Sequence, residues 1–298
     1  MSAQFSNEES AAGPGRILAW LRKPGVLLAL PNMLLLLLFF AVPLGVLVLL
    51  SFMPAGSFGL GSTLTLENYG RVFTAGYYRT FLWSVLLATM ATLLLLVVCY
   101  PVAVGLARTF GRWTPVLTLL FVAPLFVSET IRLYGWTLFF LRGGILNGLL
   151  RMTGMGEVEM MYSIPAVVIG LANIYLPFML FPLTLGIALI PKELLAAARD
   201  LGCSRWQAFW RVELPLSRPG LIIGTLLTFI MTLGSMSESK ILGGRRVVMV
   251  ADDIELAFGY QQNWPLGSAL SVILGGLSLV LLVVLLRKAD LGALVGKD

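Results

Sequence analysis

Six apolar stretches, each long enough to cross a lipid bilayer, constrain the fold of this chain more than any other feature. A transmembrane helix needs about 20 mostly apolar residues. The stretches that meet this requirement are Val26–Phe52, Phe81–Ala107, Trp113–Leu141, Ile164–Ile190, Leu221–Leu242 and Pro265–Leu286. Because 58% of the residues are apolar and only 12% are charged, the composition excludes a soluble domain. The sequence predicts an all-α membrane protein with six transmembrane helices.

The apolar stretches divide the chain into a polar segment at residues 1–25, a transmembrane domain at residues 26–288 and a tail at residues 289–298. The first stretch is too long for a signal peptide, so we expect it to remain as an anchor. Thirteen Lys and Arg residues lie on the side that contains both termini, and seven lie on the opposite side. Since cytoplasmic loops carry the excess of positive charge, we expect both termini in the cytoplasm.

Composition also excludes several kinds of chemistry. Histidine is absent, so His-dependent acid–base catalysis and His metal ligands are excluded. The two cysteines, Cys99 and Cys203, lie in an apolar stretch and in a loop and indicate no disulfide framework. No Gly-rich phosphate-binding loop ending in Gly-Lys-Ser/Thr occurs, so the chain lacks that route to ATP hydrolysis. The net charge of +6 comes mostly from the ends of apolar stretches, which indicates topology and not nucleic-acid binding.

The loop Pro191–Pro219 is predicted to form a helical hairpin at the membrane surface. Pro191 can open the first helix, and Gly202 can end it because Gly accepts the left-handed conformation that closes a helix. Ser204 and Gln207 have the spacing of a capping box for the second helix, which we expect to end at Pro215 and Pro219. The predicted apolar faces consist of Leu194, Ala198 and Leu201 in the first helix and Trp206, Phe209 and Trp210 in the second.

This loop resembles the cytoplasmic coupling loop of permease subunits of ATP-binding-cassette importers. The family motif is Glu-Ala-Ala, three residues, Gly, nine residues and then Ile-x-Leu-Pro. The matching positions here, with Ala for Glu and Val for Ile, are Ala196, Ala197, Ala198, Gly202, Val212, Leu214 and Pro215. The resemblance implies that the loop docks on an ATPase. The residues expected to couple the two proteins are Ala197, Ala198, Asp200, Leu201, Gly202 and Pro215.

Asp200 lies in the last predicted turn of the first hairpin helix, where a negative charge opposes the helix dipole. A basic residue on a docked ATPase would favour the carboxylate at this position. A local ion pair with Arg199 or Arg205 is the alternative.

Three other segments resemble spermidine/putrescine permeases. Residues Ile131–Trp136 follow the pattern Ile-Arg-x-Tyr-Ala-Trp, with Gly for Ala, and Gly144 and Asn147 follow. The segments Leu242–Gly244 and Asn263–Ser271 also match. By this resemblance the solute is a polyamine such as spermidine or putrescine, or a related amine or opine-like compound, moved by alternating access. The same group includes permeases for opines, phosphonates and other small solutes.

The same resemblance implies a set of partners in a bacterial inner membrane. These are a second permease subunit in a heterodimer, two ATP-binding ATPase subunits and a periplasmic solute-binding protein. ATP and Mg²⁺ would be bound by the ATPase, and the chain itself would hold no cofactor or metal and catalyse no reaction. No nucleic-acid partner is expected.

Charged and aromatic residues of the predicted spans are the candidates for the solute pathway: Glu129, Arg132, Tyr134, Trp136, Tyr175 and Glu238. An ionisable residue at a helix centre costs roughly 2.5–3.5 kcal/mol, so it needs a partner or water. Glu129 and Arg132 either pair with each other or line the pathway. They interrupt the third apolar stretch, which is either one span or two shorter helices. Glu238, near the outer end of the fifth span and beside Lys240, either lies at a solvated helix end or attracts an amine solute. Glu129 ranks first as a cation-binding carboxylate because it is nearer the middle of the membrane.

Aromatic rings and acidic residues elsewhere leave further alternatives. The rings of Tyr134, Trp136 and Tyr175 would attract an amine, or they serve packing and the lipid interface. The acidic cluster Asp252, Asp253 and Glu255 is either a solvated charge run or a contact with an external binding protein.

A secondary carrier driven by an ion gradient is the main functional alternative, and a membrane enzyme is the second. Secondary carriers usually contain inverted repeats around a midplane ion site, and no internal repeat is visible here. An enzyme would have little with which to do chemistry, since His is absent and Glu129 and Arg132 are the only charged pair inside a span. ATP turnover after addition of a purified ATPase would distinguish the three functions.

Overall fold

The computed structural model describes residues 31–55 and 63–288, and the regular structure in these ranges is helical throughout. The chain divides into two compact units, residues 1–50 and residues 51–298. Helix α1 runs over Pro31–Ser51. All of its residues except Ser51 belong to the first unit. The predicted N-terminal segment, the start of the first span at Val26 and the C-terminal tail lie outside the described residues.

The described part of the second unit contains a series of helices of very unequal length. In chain order they are α2 (Glu67–Thr74), α3 (Tyr78–Val104), α4 (Thr114–Val122), α5 (Glu129–Phe140), α6 (Ile145–Met152), α7 (Ile164–Ala188), α8 (Lys192–Asp200), α9 (Arg205–Ala208), α10 (Arg218–Leu233), α11 (Ser237–Ile241), α12 (Val250–Phe258) and α13 (Trp264–Lys288). Two π-helical segments matter below: Gly105–Thr109 extends α3, and Phe209–Glu213 extends α9 and leads into the short helix Leu214–Leu216.

The six predicted spans correspond to four long helices and two bent helix pairs. By length and composition, α1, α3 with its π-helical extension, α7 and most of α13 can each cross a membrane. The third span is the pair Gly111–Phe126 and Glu129–Met152, bent by 96°. The fifth involves the pair Arg205–Leu216 and Arg218–Leu233, bent by 67°.

The third apolar stretch is broken, which answers the question that the sequence left open. Val127 and Ser128 have extended backbone torsions, with ψ of 131° and 136°, and they interrupt the helix between Phe126 and Glu129. Glu129 then lies in the first turn of α5, where its negative charge faces the positive end of the helix dipole. The charged residues therefore belong to a helix start and not to the middle of a continuous span.

The fifth span differs from its prediction at both ends. Helix α10 ends at Leu233 and not at Leu242, because residues 234–236 are non-helical and α11 is a separate short helix. At the other end, Pro219 lies in the first turn of α10, and Pro215 lies in the first turn of Leu214–Leu216. The second hairpin helix, Arg205–Leu216, ends between the two prolines as predicted. Pro219 also opens the next helix, because proline lacks only an N–H that the first turn leaves unpaired.

Helix α7 is the centre of the second unit and packs against both α3 and α10, which also pack against each other. Its buried side chains include Leu171, Met179 and Leu183, and Leu87 and Leu95 of α3 meet the same core. A helix that is apolar around its whole circumference is typical of such a central position. Helix α13 packs on the outside of this group against α2 and α12.

The approach of α7 to α10 requires glycine. A Cβ atom at Gly220 would lie 2.5 Å from the carbonyl oxygen of Pro182 and 2.8 Å from the Cα atom of Gly186. Small residues at such crossings allow helix backbones in membranes to come into direct contact. Gly186 and Gly220 therefore set the distance between the two helices.

We expect Gly220→Val to lower the unfolding temperature of the purified protein. Its side chain would force α7 and α10 apart, and overpacking of this kind costs roughly 1–3 kcal/mol. The matched control is Gly275→Val in α13, where a Cβ atom would meet no other atom within 4 Å of it. Thermal unfolding in detergent, followed by circular dichroism, measures the difference. Equal unfolding temperatures for the two variants would contradict the close contact.

Candidate functional site

The loop between α7 and α10 forms the predicted helical hairpin. Helix α8 ends in a Schellman motif, in which the Gly202 N–H donates to the Arg199 carbonyl at 2.9 Å and the Cys203 N–H donates to the Ala198 carbonyl at 3.0 Å. Gly202 has the left-handed torsion that this motif needs, with φ of 85°. The predicted glycine stop is confirmed.

The predicted capping box at the start of the second hairpin helix is also confirmed. The Gln207 N–H donates to Ser204 Oγ at 3.2 Å, and the Ser204 N–H donates to Gln207 Oε1 at 2.9 Å. Two backbone donors that the helix start would leave unpaired are satisfied in this way. The turn between α8 and α9 is therefore fixed on both sides by hydrogen bonds.

The buried face of α8 differs from the predicted one. Leu195 and Ala198 are buried, whereas Leu194 and Leu201 are exposed, Leu201 to 86%. Trp206 and Trp210 on the second helix are exposed as well. The hairpin thus presents a group of large apolar side chains that this chain does not cover.

Some of the predicted coupling residues are exposed on the hairpin and others are not. Ala197, Asp200, Leu201 and Gly202 are exposed, Ala198 is buried and Pro215 is half-buried. In the described ranges, no ion pair joins Asp200 to Arg199 or Arg205. A contact of Asp200 with an ATPase stays a prediction.

At the far end of α10, Glu238 is fully buried on α11, and the prediction of a solvated helix end was wrong. The Ser235 hydroxyl donates to the Glu238 carboxylate, and the other carboxylate oxygen, Oε1, has no hydrogen-bond partner in the described structure. Its side chain lies against α7, where a Cβ atom at Gly170 would be 3.6 Å from Glu238 Cγ. The neighbouring Lys240 pairs with Glu255 and leaves Glu238 without a basic partner from its own helix.

Three of the other candidate pathway residues lie within electrostatic range of Glu238. Tyr175 of α7 is buried and neighbours Ser235 and Glu238, and the charges of Glu129 and Arg132 act on both groups. Glu129 and Arg132 form no ion pair with each other within the described residues. The structure therefore does not contain the internal pair that was one interpretation of their spacing.

A cavity of about 560 Å³ is lined by residues of the broken third span, among them Arg132, Trp136 and Phe139, and by Asn173 of α7. Arg132 Nε and Nη1 are buried without a hydrogen-bond partner in the described structure. Trp136 stacks on Phe140, with ring centroids 5.2 Å apart. The cavity thus combines an aromatic wall with a guanidinium group that lacks a partner.

Tyr134, the remaining candidate, is 58% exposed and is not among the residues that line the cavity. The structure therefore places Glu129, Arg132 and Tyr175 within electrostatic range of Glu238. Trp136 lines the cavity together with Arg132, and Tyr134 does not.

The acidic cluster on α12 is not a solvated charge run. Asp252 is half-buried, accepts hydrogen bonds from the Ser239 hydroxyl and from the Met249 N–H at 2.9 Å, and so caps the start of its helix. Burial raises the pKa of the Asp252 carboxyl group. These residues line a separate cavity of about 710 Å³, with Lys240, Arg245 and Tyr260. Within residues 31–55 and 63–288, no group of three or more His, Cys, Asp or Glu side chains is arranged to hold a metal ion.

Comparison with known sequences identifies the family. The family model described as "Binding-protein-dependent transport system inner membrane component" matches residues 108–289. The spermidine/putrescine transport system permease protein PotB of Haemophilus influenzae is 36% identical over 255 residues, which cover 84% of this chain and 89% of that protein. PotB of Escherichia coli is 37% identical over 229 residues, which cover 76% of this chain and 83% of that protein.

Solved structures of a bacterial alginate importer share the fold. One crystal structure, of an ABC transporter involved in the import of the acidic polysaccharide alginate, matches with a TM-score of 0.69 at 16% identity and covers 95% of this chain and 100% of the other. A second, of an alginate ABC transporter in complex with an alginate pentasaccharide-bound periplasmic protein, matches with a TM-score of 0.72 at 17% identity and covers 95% and 99%.

These matches leave no support for the carrier or the enzyme alternative. The matching family and relatives are inner-membrane transport components and permease subunits, and the helices of this chain that are long and apolar enough to cross a membrane agree with a multi-pass protein. The chain belongs to the family of inner-membrane components of binding-protein-dependent transport systems and is the permease subunit of an ABC importer with the type I permease fold.

Proposed function

We propose that this permease subunit imports a polyamine such as spermidine or putrescine, or a related amine. The observation that carries the proposal is the 36% identity, over 84% of this chain, to a protein named for spermidine/putrescine transport. The buried Glu238 carboxylate and the rings of Tyr175 and Trp136 support a cationic solute, because carboxylates and aromatic faces attract ammonium groups.

The proposed assembly contains a second permease subunit, two ATPase subunits and a solute-binding protein outside the membrane. The family description names a binding protein, and one solved relative of the fold is titled as a complex with a periplasmic protein, which supports this set. ATP and Mg²⁺ would bind to the ATPase subunits. Nucleotide would drive alternating access by binding more tightly to one conformation of the assembly than to the other.

Uptake by proteoliposomes tests the solute. The complete transporter, with its binding protein outside and ATP inside, is supplied with labelled spermidine or putrescine. Uptake that requires ATP and is not reduced by an excess of an opine supports the proposal. Uptake of a labelled opine together with no uptake of either polyamine would overturn it.

The sequence ranked Glu129 above Glu238 as the carboxylate that binds a cationic solute. Because Glu238 is buried, we now rank it above Glu129. We expect Glu238→Gln to raise the KM for polyamine uptake at least about tenfold, because a hydrogen bond to a charged group is worth about 1.5–3 kcal/mol. Glu129→Gln should have a smaller effect, since Glu129 is only half-buried. Glu238→Asp keeps the charge and serves as the conservative control, with protein level measured for each variant. A larger loss in Glu129→Gln than in Glu238→Gln would restore the original order.

The exposed apolar surface of the hairpin is proposed to dock on the ATPase. We expect Leu201→Asp to weaken co-purification of the ATPase and to abolish the extra ATP hydrolysis that loaded binding protein provokes, because docking would bury an unpaired charge. Leu66→Asp is the matched control, since Leu66 is also exposed but lies in the loop before α2. If both variants keep stimulated hydrolysis at the unmodified rate, Leu201 is not part of the docking surface.

Gly202→Val tests the turn within the same surface. A Cβ atom there would meet nothing within 4 Å, so its effect comes only from the left-handed backbone, which costs roughly 1 kcal/mol or more for a residue with a side chain. Gly143→Val is the control, because the space around Gly143 is equally open and its torsion is not left-handed. We expect only Gly202→Val to reduce stimulated hydrolysis.

The hairpin and both termini are proposed to face the cytoplasm, as the Lys and Arg distribution predicts. We therefore expect a membrane-impermeant maleimide to label Cys203, which is half-buried, only after the membrane is opened. Cys99 is buried and should stay unlabelled throughout. Tyr260→Cys introduces a thiol at a site that is 87% exposed on the opposite side and should be labelled in intact cells. Labelling of Cys203 from outside would invert the topology.

A further inference from the structure

Two oppositely charged side chains face each other where the second span meets the hairpin. Arg108 belongs to the π-helical segment that extends α3, and Glu213 belongs to the π-helical segment that extends α9. Their Nε and Oε1 atoms are 3.1 Å apart, and the two side chains are only 16% and 11% exposed. Each charge has therefore lost most of its water and depends on the other for compensation.

Two further contacts lie at the same junction. The hydroxyl groups of Tyr100 in α3 and Ser217 at the end of the hairpin are hydrogen-bonded at 3.1 Å. The Tyr100 ring also packs edge-to-face on Phe209, with ring centroids 5.3 Å apart. An ion pair, a hydrogen bond and an aromatic contact thus join one end of α3 to one part of the hairpin.

The ion pair is close but poorly aligned. Arg108 Nε and Nη2 and Glu213 Oε1 are buried and make no well-directed hydrogen bond in the described structure. The two residues are therefore held together by their opposite charges and not by a fixed hydrogen-bond geometry. Such a contact tolerates small displacements of one helix against the other, whereas loss of either charge leaves its partner buried and uncompensated.

Chain connections also attach the hairpin to the central helices. Its second helix continues into α10 across a bend of 67° at Ser217, and its first helix follows the end of α7. A bend between two helices is a point at which one helix can change its angle to the other, and a contact with a third helix restricts that change. Both charged residues lie in π-helical segments, which occur frequently at functional sites in helical proteins.

We propose that the Arg108–Glu213 pair, with Tyr100 and Ser217, is the joint that transmits movement of the hairpin to the second span. The inference rests on the proposed role of the hairpin in ATPase coupling and adds the residues through which the movement reaches the membrane. Arg108 and Glu213 are positioning residues: they touch neither solute nor nucleotide and act by fixing the angle between the hairpin and α3.

Charge exchange in the complete transporter tests the joint. We expect Arg108→Glu and Glu213→Arg each to lower binding-protein-stimulated ATP hydrolysis and uptake at least about tenfold, while the ATPase subunits still co-purify. The double variant, which restores opposite charges in exchanged positions, should recover both activities to within about threefold of the unmodified rates. Recovery by exchange is a result that a general packing defect would not give.

Two additional variants cover the case in which charge reversal impairs folding. Glu213→Gln keeps the shape of the side chain and should reduce stimulated hydrolysis without loss of assembled protein. Arg112→Glu reverses an exposed charge four residues after Arg108, in the connection between α3 and α4. This variant should leave the stimulation of ATP hydrolysis unchanged. Single variants that keep full stimulation, or an exchange that restores none of it, would overturn the proposal. Failure of the proposed solute is recognised separately, because the unmodified transporter would then show no stimulation by polyamine-loaded binding protein.

Discussion

The direct backbone contact between α7 and α10 is the constraint on which the rest of this structure depends. It exists because Gly186 and Gly220 carry no side chains, and it leaves room for α3 to pack against both helices. Without a hydrophobic effect between helices in lipid, such contacts and interhelical polar bonds must supply the association. Helix α7, which carries Tyr175, and helix α10, which connects the hairpin to the segment of Glu238, meet at this contact.

Helix α10 connects the two candidate sites. The hairpin ends at Ser217, immediately before α10 begins, and the segment that carries Glu238 begins only a few residues after α10 ends at Leu233. One helix, in backbone contact with α7, therefore connects the hairpin to the segment that carries the buried carboxylate. The broken third span lies at the same end as Glu238, since Arg132 and Glu129 act on it and on Tyr175. A single helix thus lies between the surface proposed for the ATPase and the residues proposed for the solute.

The sequence predicted those features that depend on local chemistry. The spans follow from apolar length, the stop at Gly202 from its backbone freedom, and the Ser204–Gln207 box from residue spacing. Burial of Glu238 was not predictable in this way, because its neighbours Gly170 and Tyr175 are distant in the sequence and the adjacent Lys240 suggested solvent. The buried side of α8 was likewise missed by one position, since Leu194 and Leu195 are both apolar and only tertiary packing decides between them. The charged residues Glu129 and Arg132 indicated an interruption near Val127–Ser128. They were compatible both with one continuous span and with two shorter helices, so the sequence did not decide between them.

The shortness of α10 has a consequence for the depth at which Glu238 lies. With 16 residues the helix is about 24 Å long, less than the hydrocarbon thickness of about 30 Å. Irregular backbone at such a depth is possible only where protein or water surrounds it. The packing of Glu238 and Leu242 against Gly170 of α7 supplies protein on one side of this segment. A short span of this kind thus lets a carboxylate lie inside the helix bundle, with α7 covering the segment that carries it on that side.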